Sequence, residues 1–381
     1  MTKGRKTKHV VHYLPFLEIK KPVKLGVVQF FPYPERADMI GNSKLVPYIE
    51  KIKNSFWFGK GRALKSITLA KYLLKPWSQL NDDEQKTILH TNVILCFCCL
   101  AANEPSTEKP YRNSSNFQIT TQHLSLYSDF FSIETRRRWG TELTGGFKWG
   151  KYLQIIPDYI GRIGDTKFDE QLLTIFNNIL KVKLGTYPEL DISLKWFYWA
   201  NTDSSYTNLD LEAVLMSSAF EALYKVPAGT NKRKFLIEAI RCHFGNYERI
   251  ISTKPDTLGT KQKTRGWKEF WFDEFYWYRS CISHGAKPDW RGKIWNPLEH
   301  LFIANKIFID SIRVKFEKER HLILDREIKA MIDAADEIIM KGKIFEKNWN
   351  EIFLKQIWKI PPSLIKRINQ KQKTEAERKG K

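Results

Sequence analysis

The spacing of apolar positions changes part-way along the chain. From His9 to Pro34, short runs rich in Val, Ile, Phe and Tyr (VVHYLPFLEI, LGVVQFFPYP) are interrupted by Pro and Gly, which favours strands over helix. From Lys167 onward apolar residues recur at three and four. Phe168, Leu172, Ile175 with Phe176, and Ile179 fall on one helical face. The same period predicts further helices over about 191–201, 207–225, 231–244, 265–284, 297–319 and 325–341, with PAGT and ISTKPDTLGTKQKT as the main breaks. In the first half a helix is expected over Ala63–Leu74. A clearer one starts at Asn81, where NDDE supplies a cap and first-turn acids before an apolar stretch reaching Leu100. Residues 101–150 read as loop-rich (NEPSTEKPYRNSSN, TGGFKWG), with FQITTQHLSLY as a strand. No repeat of solenoid period is present. The expected fold class is α+β: a mixed α/β domain over 1–165, an all-α helical bundle over 166–345 and a basic tail over 346–381.

Composition sharpens this in two ways. With 42% hydrophobic and 14% aromatic residues, 381 residues suffice for two buried cores, so global disorder is excluded. The net charge of +21 is concentrated at the ends, +6 in residues 1–25 and +8 in residues 341–381. Basic ends beside 13 Trp suit a polyanion, with phosphates held by Lys and Arg and bases stacked on rings. The longest uninterrupted apolar run, Val93–Ala102, is about half the ~20 residues a membrane span needs. MTKGRKTKH is basic but lacks a following apolar stretch, so a cytoplasmic protein without a membrane partner is expected.

Most familiar chemical motifs are absent. Cys96, Cys98 and Cys99 crowd into ILCFCCL without a second pair at ligand spacing, so burial as small hydrophobes is expected and no metal site is assigned. The chain contains no HExxH, GxxxxGK[ST] or GxSxG, and no cofactor is called for. RRR at Arg136–Arg138 reads as a solvated loop.

The compact chemical signal is WFDEFYWYRSCISHGAKPDW, where Arg279 and His284 are separated by four residues. A five-residue step places His284 about 140° round a helix from Arg279. The two converge only where the helix ends or loosens at the His, and Gly285 is a suitable terminator. This stretch resembles the RxxxxH motif of HEPN domains, all-α bundles that include metal-independent ribonucleases. LDLEAVLMSSAFEALYK upstream resembles a helix of Apea-type members, with Glu221-Ala-Leu-Tyr224 in the acidic-Leu pattern. The resemblance covers about residues 166–320. Ser280 departs from the Asn, Asp or His common after the Arg in these nucleases.

The resemblance implies a metal-independent endoribonuclease with toxin-like or antiviral-defence use, acting as a homodimer that brings two motifs together. The residue types fit that chemistry. RNA supplies its own nucleophile, the 2′-OH. Arg279 offers a guanidinium fork to the phosphoryl group, and His284 moves a proton near neutrality. Arg279, His284 and Ser280 are thus the catalytic candidates. Tyr278, with Tyr276 and Trp277, either stacks bases or fills the core. Lys287, Arg291 and Lys293 either hold flanking phosphates or are plain surface charge. Glu221 either holds the Arg279 fork or makes an ordinary structural ion pair. RNA is the expected partner, with an inhibitory or activating partner to restrain the activity. A non-catalytic HEPN module binding RNA or protein, and a DNA-binding regulator using the basic ends, are the alternatives.

Overall fold

The computed structural model describes residues 8–58, 62–75, 77–102, 113–126, 128–137, 140–155, 166–182, 187–202, 207–245, 267–290, 293 and 295–319. They form two compact units. The first contains β1 (Lys8–Leu14), β2 (Val23–Leu25), β3 (Val28–Tyr33), α1 (Val46–Asn54), β4 (Phe56–Phe58), β5 (Arg62–Ala63), β6 (Ile67–Tyr72), α2 (Asp82–Ala102), β7 (Thr120–Ser125), β8 (Phe130–Arg137), β9 (Gly140–Lys148), β10 (Gln154–Ile155) and α3 (Glu170–Val182). The second contains α4 (Pro188–Ala200), α5 (Leu209–Leu223), α6 (Lys232–Phe244), α7 (Trp267–Ser283) and α8 (Pro297–Lys318).

A seven-stranded antiparallel sheet of order β2-β3-β6-β1-β7-β8-β9 organises the first unit, with a small sheet β10-β4-β5 beside it. Period-two alternation along β1 sends Val11 and Tyr13 into a cluster with Phe31, Leu69, Leu124 and Phe131, which Ile49 and Ile52 of α1 cover. The alternate residue His12 pairs with Thr121 across β7, its Nδ1 3.0 Å from Oγ1, and burial lowers its pKa to about 4.

The helix expected over Ala63–Leu74 is instead β5 and β6. β6 lies between β3 and β1, and Ile67, Thr68, Leu69 and Ala70 are all buried, so both faces carry small or apolar residues and the alternation that marks a strand is lost. TGGFKWG, read as loop, mostly belongs to β9, and Arg136 and Arg137, also read as loop, end β8.

The helix starting at Asn81 is present as α2. Asn81 Oδ1 accepts from the Glu84 amide (2.9 Å) while a Glu84 carboxylate oxygen accepts from the Asn81 amide (2.8 Å), a reciprocal capping box. Cys96, Cys98 and Cys99 are buried thiols in this helix, and burial pushes the Cys96 thiol well up. By length and composition α2 is apolar enough to cross a membrane, but most of that stretch is buried inside the protein, as in a core helix. It packs on β3 and β6.

α3, expected in the helical domain, groups with the sheet, while the helical unit takes in Pro188–Ala200 and the chain from Asn208 onward. Phe176 packs edge-on against Phe97 of α2 (5.9 Å), and Asn177 Oδ1 accepts the Gly26 amide at 2.9 Å. Gly26 has φ +58°, and a Cβ there would lie 3.1 Å from Leu180, so the close approach of α3 requires glycine.

In the second unit α5 contacts all four other helices. Its Phe220 is fully buried and meets Phe272 and Phe308 edge-on at 5.2 and 5.4 Å, while Phe197 of α4 stacks on Phe308 at 4.7 Å. The observed helices follow the sequence period closely. The helix expected over 325–341, the tail over 346–381, and the residues Arg138 and Arg291 lie outside the described residues.

Candidate active site

The motif closes α7. The amide of His284 still donates to the Ser280 carbonyl (3.1 Å), Gly285 donates to Ile282 (3.0 Å) and Ala286 to Cys281 (2.8 Å). With Gly285 at φ +67°, this is a Schellman termination in which His284 is the last residue on the helical ladder. The helix therefore ends just after the His. The rotation of about 140° between Arg279 and His284 is kept, and the two point to different sides of α7.

Arg279 turns toward α5. Its Nε donates to Ser217 Oγ at 3.1 Å, and Nη2 lies 3.6 Å from Glu221 Oε1. The guanidinium also lies over the Tyr276 ring, 5.4 Å from its centre. Glu221 is shared: Lys232 Nζ donates to Oε2 at 2.6 Å and Tyr276 Oη to Oε1 at 3.2 Å. Burial and the Glu221 charge push the Tyr276 hydroxyl up to about 12, so it stays a donor. The Arg279 side chain is 21% exposed. Nη1 makes no hydrogen bond with the described residues, leaving part of the fork for an anion.

His284 and Lys287 are exposed and Ser280 is half-buried. The other two described histidines of this unit differ. His243 donates from Nε2 to the Ser311 carbonyl (2.8 Å), and burial lowers its pKa to about 4. His300 is completely buried among the rings of Trp271, Phe275, Tyr278, Trp290 and Trp295, and burial lowers its pKa also. Among the described histidines of this unit, the exposed one is His284 of the motif.

The flanking candidates divide. Tyr278 is fully buried and donates to Asp210 of α5, so it is a core residue and does not stack a base. Trp277 is half-buried, with Lys293 Nζ 3.9 Å above its ring, so Lys293 is committed to a cation–π contact. Tyr224 is half-buried and donates to Ser311 (2.9 Å). Ser217 and Lys232, which complete the Arg279–Glu221 arrangement, were missed; both lie within segments whose pattern says helix and nothing more. Among the described residues no group of three or more His, Cys, Asp or Glu is placed to hold a metal ion. Compared with family models, curated proteins and solved structures, the chain matches none.

Proposed function

We propose that the helical unit is a HEPN-type, metal-independent endoribonuclease of the cytoplasm, serving a toxin-like or antiviral-defence role. The observation that carries this reading is the exposure of both motif side chains near the end of one helix: a partly exposed guanidinium whose Nη1 makes no hydrogen bond with the described residues, and an exposed imidazole at the helix terminus. Arg279 neutralises charge building on the phosphoryl oxygens, and His284 takes the 2′-OH proton or protonates the 5′ leaving oxygen. Ser280, on the half-buried turn between them, is the third catalytic candidate.

Because the two side chains leave α7 on different sides, one chain does not readily aim both at one phosphate. A homodimer answers this, one chain supplying the Arg and the other the His across a two-fold axis. Exposed Leu209 and Leu211 flank Asp210, the residue held by Tyr278, which places an apolar surface beside the motif helix and suits such pairing.

The test is incubation of the purified chain with mixed RNA in EDTA. Cleavage leaving 2′,3′-cyclic phosphate and 5′-hydroxyl ends is expected. Metal-dependent cleavage leaving 5′-phosphates overturns the scheme. The engagement of Arg279 by Ser217 and Glu221 favours a second reading, a non-catalytic RNA- or protein-binding module. Intact RNA bound by a well-folded dimer decides for it. Duplex DNA outcompeting RNA at matched salt decides for a DNA-binding regulator.

A further inference from the structure

The first unit holds a cavity of about 660 Å³ between the β1–β2 connection, β2 and the start of α3, within the size range of small-molecule sites. Its lining is chemically uneven. Four lysines, Lys20, Lys21, Lys24 and Lys167, line it against one acidic residue, Glu170. Val23, Phe168 and Leu173 add apolar wall. Asn177 already uses Oδ1 on the Gly26 amide, so toward a ligand it can offer only its amide N–H groups. The Thr166 and Thr174 hydroxyls donate to the carbonyls of Glu18 and Glu170, so toward a ligand they act as acceptors.

We infer that this cavity binds a nucleoside polyphosphate. A lysine-rich lining that includes Lys21 and Lys24 matches a multiply charged phosphate chain. The threonine oxygens and Glu170 match the hydroxyl and amino donors of a sugar and base, which an inorganic anion lacks. The apolar wall gives a ring system a surface to cover. Asn177 fixes the shape as well as offering donors, because the hydrogen bond to Gly26 clamps α3 against the turn that follows β2, the strand that carries Lys24. The proposal is independent of the ribonuclease reading, since none of these residues belongs to the helical unit.

The experiment is calorimetric titration of the full-length chain with ATP and, separately, with inorganic tripolyphosphate at near-physiological salt. One equivalent of ATP is expected to bind saturably, and tripolyphosphate more weakly. The double variant Lys21→Gln/Lys24→Gln should weaken ATP binding at least about tenfold, as expected for two lost charge contacts. Thr174→Trp keeps every charge and fills the space above an exposed position of α3, and should weaken it comparably. Unchanged thermal unfolding shows that both variants fold. Failure of ATP to bind at about 1 mM overturns the proposal. So does Thr174→Trp binding as well as the parent while the lysine variant does not, since that marks a plain charged patch. So does a short single-stranded RNA that displaces ATP and whose own binding both variants lose, since that marks an RNA contact.

Discussion

Two arginines hold α7 to its neighbours through glutamates, one near each end, and they are built differently. At the N-terminal end Arg241 of α6 places Nε and Nη2 on the same Glu269 oxygen at 3.0 and 2.6 Å, while Nη1 reaches Glu238 at 2.7 Å. Every nitrogen of that guanidinium is spent, and the Glu269 side chain is only 5% exposed. At the C-terminal end Arg279 gives Nε to a neutral serine and stands 3.6 Å from a carboxylate that Lys232 and Tyr276 also engage. A fork engaged at every nitrogen fixes structure. A fork with donors in reserve, beside an exposed imidazole, is poised for an anion. The surroundings agree, since Trp271, Phe272 and Phe275 fill the core on the first half of α7 while Arg279, Ser280 and His284 are at least partly open.

The largest expected effect separates the two ends by activity. Arg279→Ala and His284→Ala should each reduce RNA cleavage by about 10²–10⁴-fold, the range for losing a transition-state charge partner or a general acid–base. Arg241→Ala should leave the cleavage rate of the folded fraction within a few-fold. Mixing Arg279→Ala with His284→Ala chains should restore part of the activity if the site is shared between protomers. A protein that stays monomeric by light scattering across its active concentration range removes the dimer from the scheme.

Stability should divide the other way. Arg241→Ala leaves Glu269 buried beside lost partners and should cost about 2 kcal/mol in urea unfolding, below the full buried-pair penalty because Arg241 itself is half exposed. His284→Ala, at an exposed position, should change stability by less than about 0.5 kcal/mol. An Arg279→Ala loss as large as that of Arg241→Ala would make both pairs structural.

What the sequence disclosed follows the same physical divide. Helices with one buried face announce themselves by period, so α4 to α8 lie within a few residues of where the apolar spacing puts them. The capping residues of α2 were equally plain. β6 was misread because a central strand buried on both faces loses its alternation. The unit to which α3 belongs was hidden for another reason: an amphipathic stripe shows that a helix is covered, but not by what. The motif and the helix end at Gly285 were legible, whereas Ser217 and Lys232 became visible as partners of the site only once α5 and α6 stood beside α7.

Acidification sharpens the contrast between buried and exposed histidines. Burial lowers His243 from 6.5 to about 4. Between those values the unfolded chain binds a proton that the folded bundle refuses. The contribution is therefore complete above about pH 6.5 and is lost as pH falls toward about 4, by up to about 1.4 kcal/mol per pH unit. His12 does the same in the sheet unit. Urea midpoints should fall between about pH 7 and about pH 5, and His243→Gln should remove the share of that fall that His243 supplies, leaving that of His300. An unchanged pH dependence in the Gln variant would mean that His243 is not held neutral.

The smallest expected effect tests how the helix end holds His284 in place. Gly285 sits at φ +67°, a backbone region that costs an L-residue about 1 kcal/mol. A Cβ built there meets nothing within 4 Å, so an alanine would be strained by its backbone and not by a neighbour. Gly285→Ala should thus destabilise by about 1 kcal/mol, and Gly285→Asn by less, because asparagine tolerates the left-handed region. Cleavage should fall in the same order, since relaxing that residue weakens the bonds from Gly285 and Ala286 back to Ile282 and Cys281 and frees His284 from its position. Stability and activity that stay level across Gly, Asn and Ala would show that the Schellman turn does not position the imidazole.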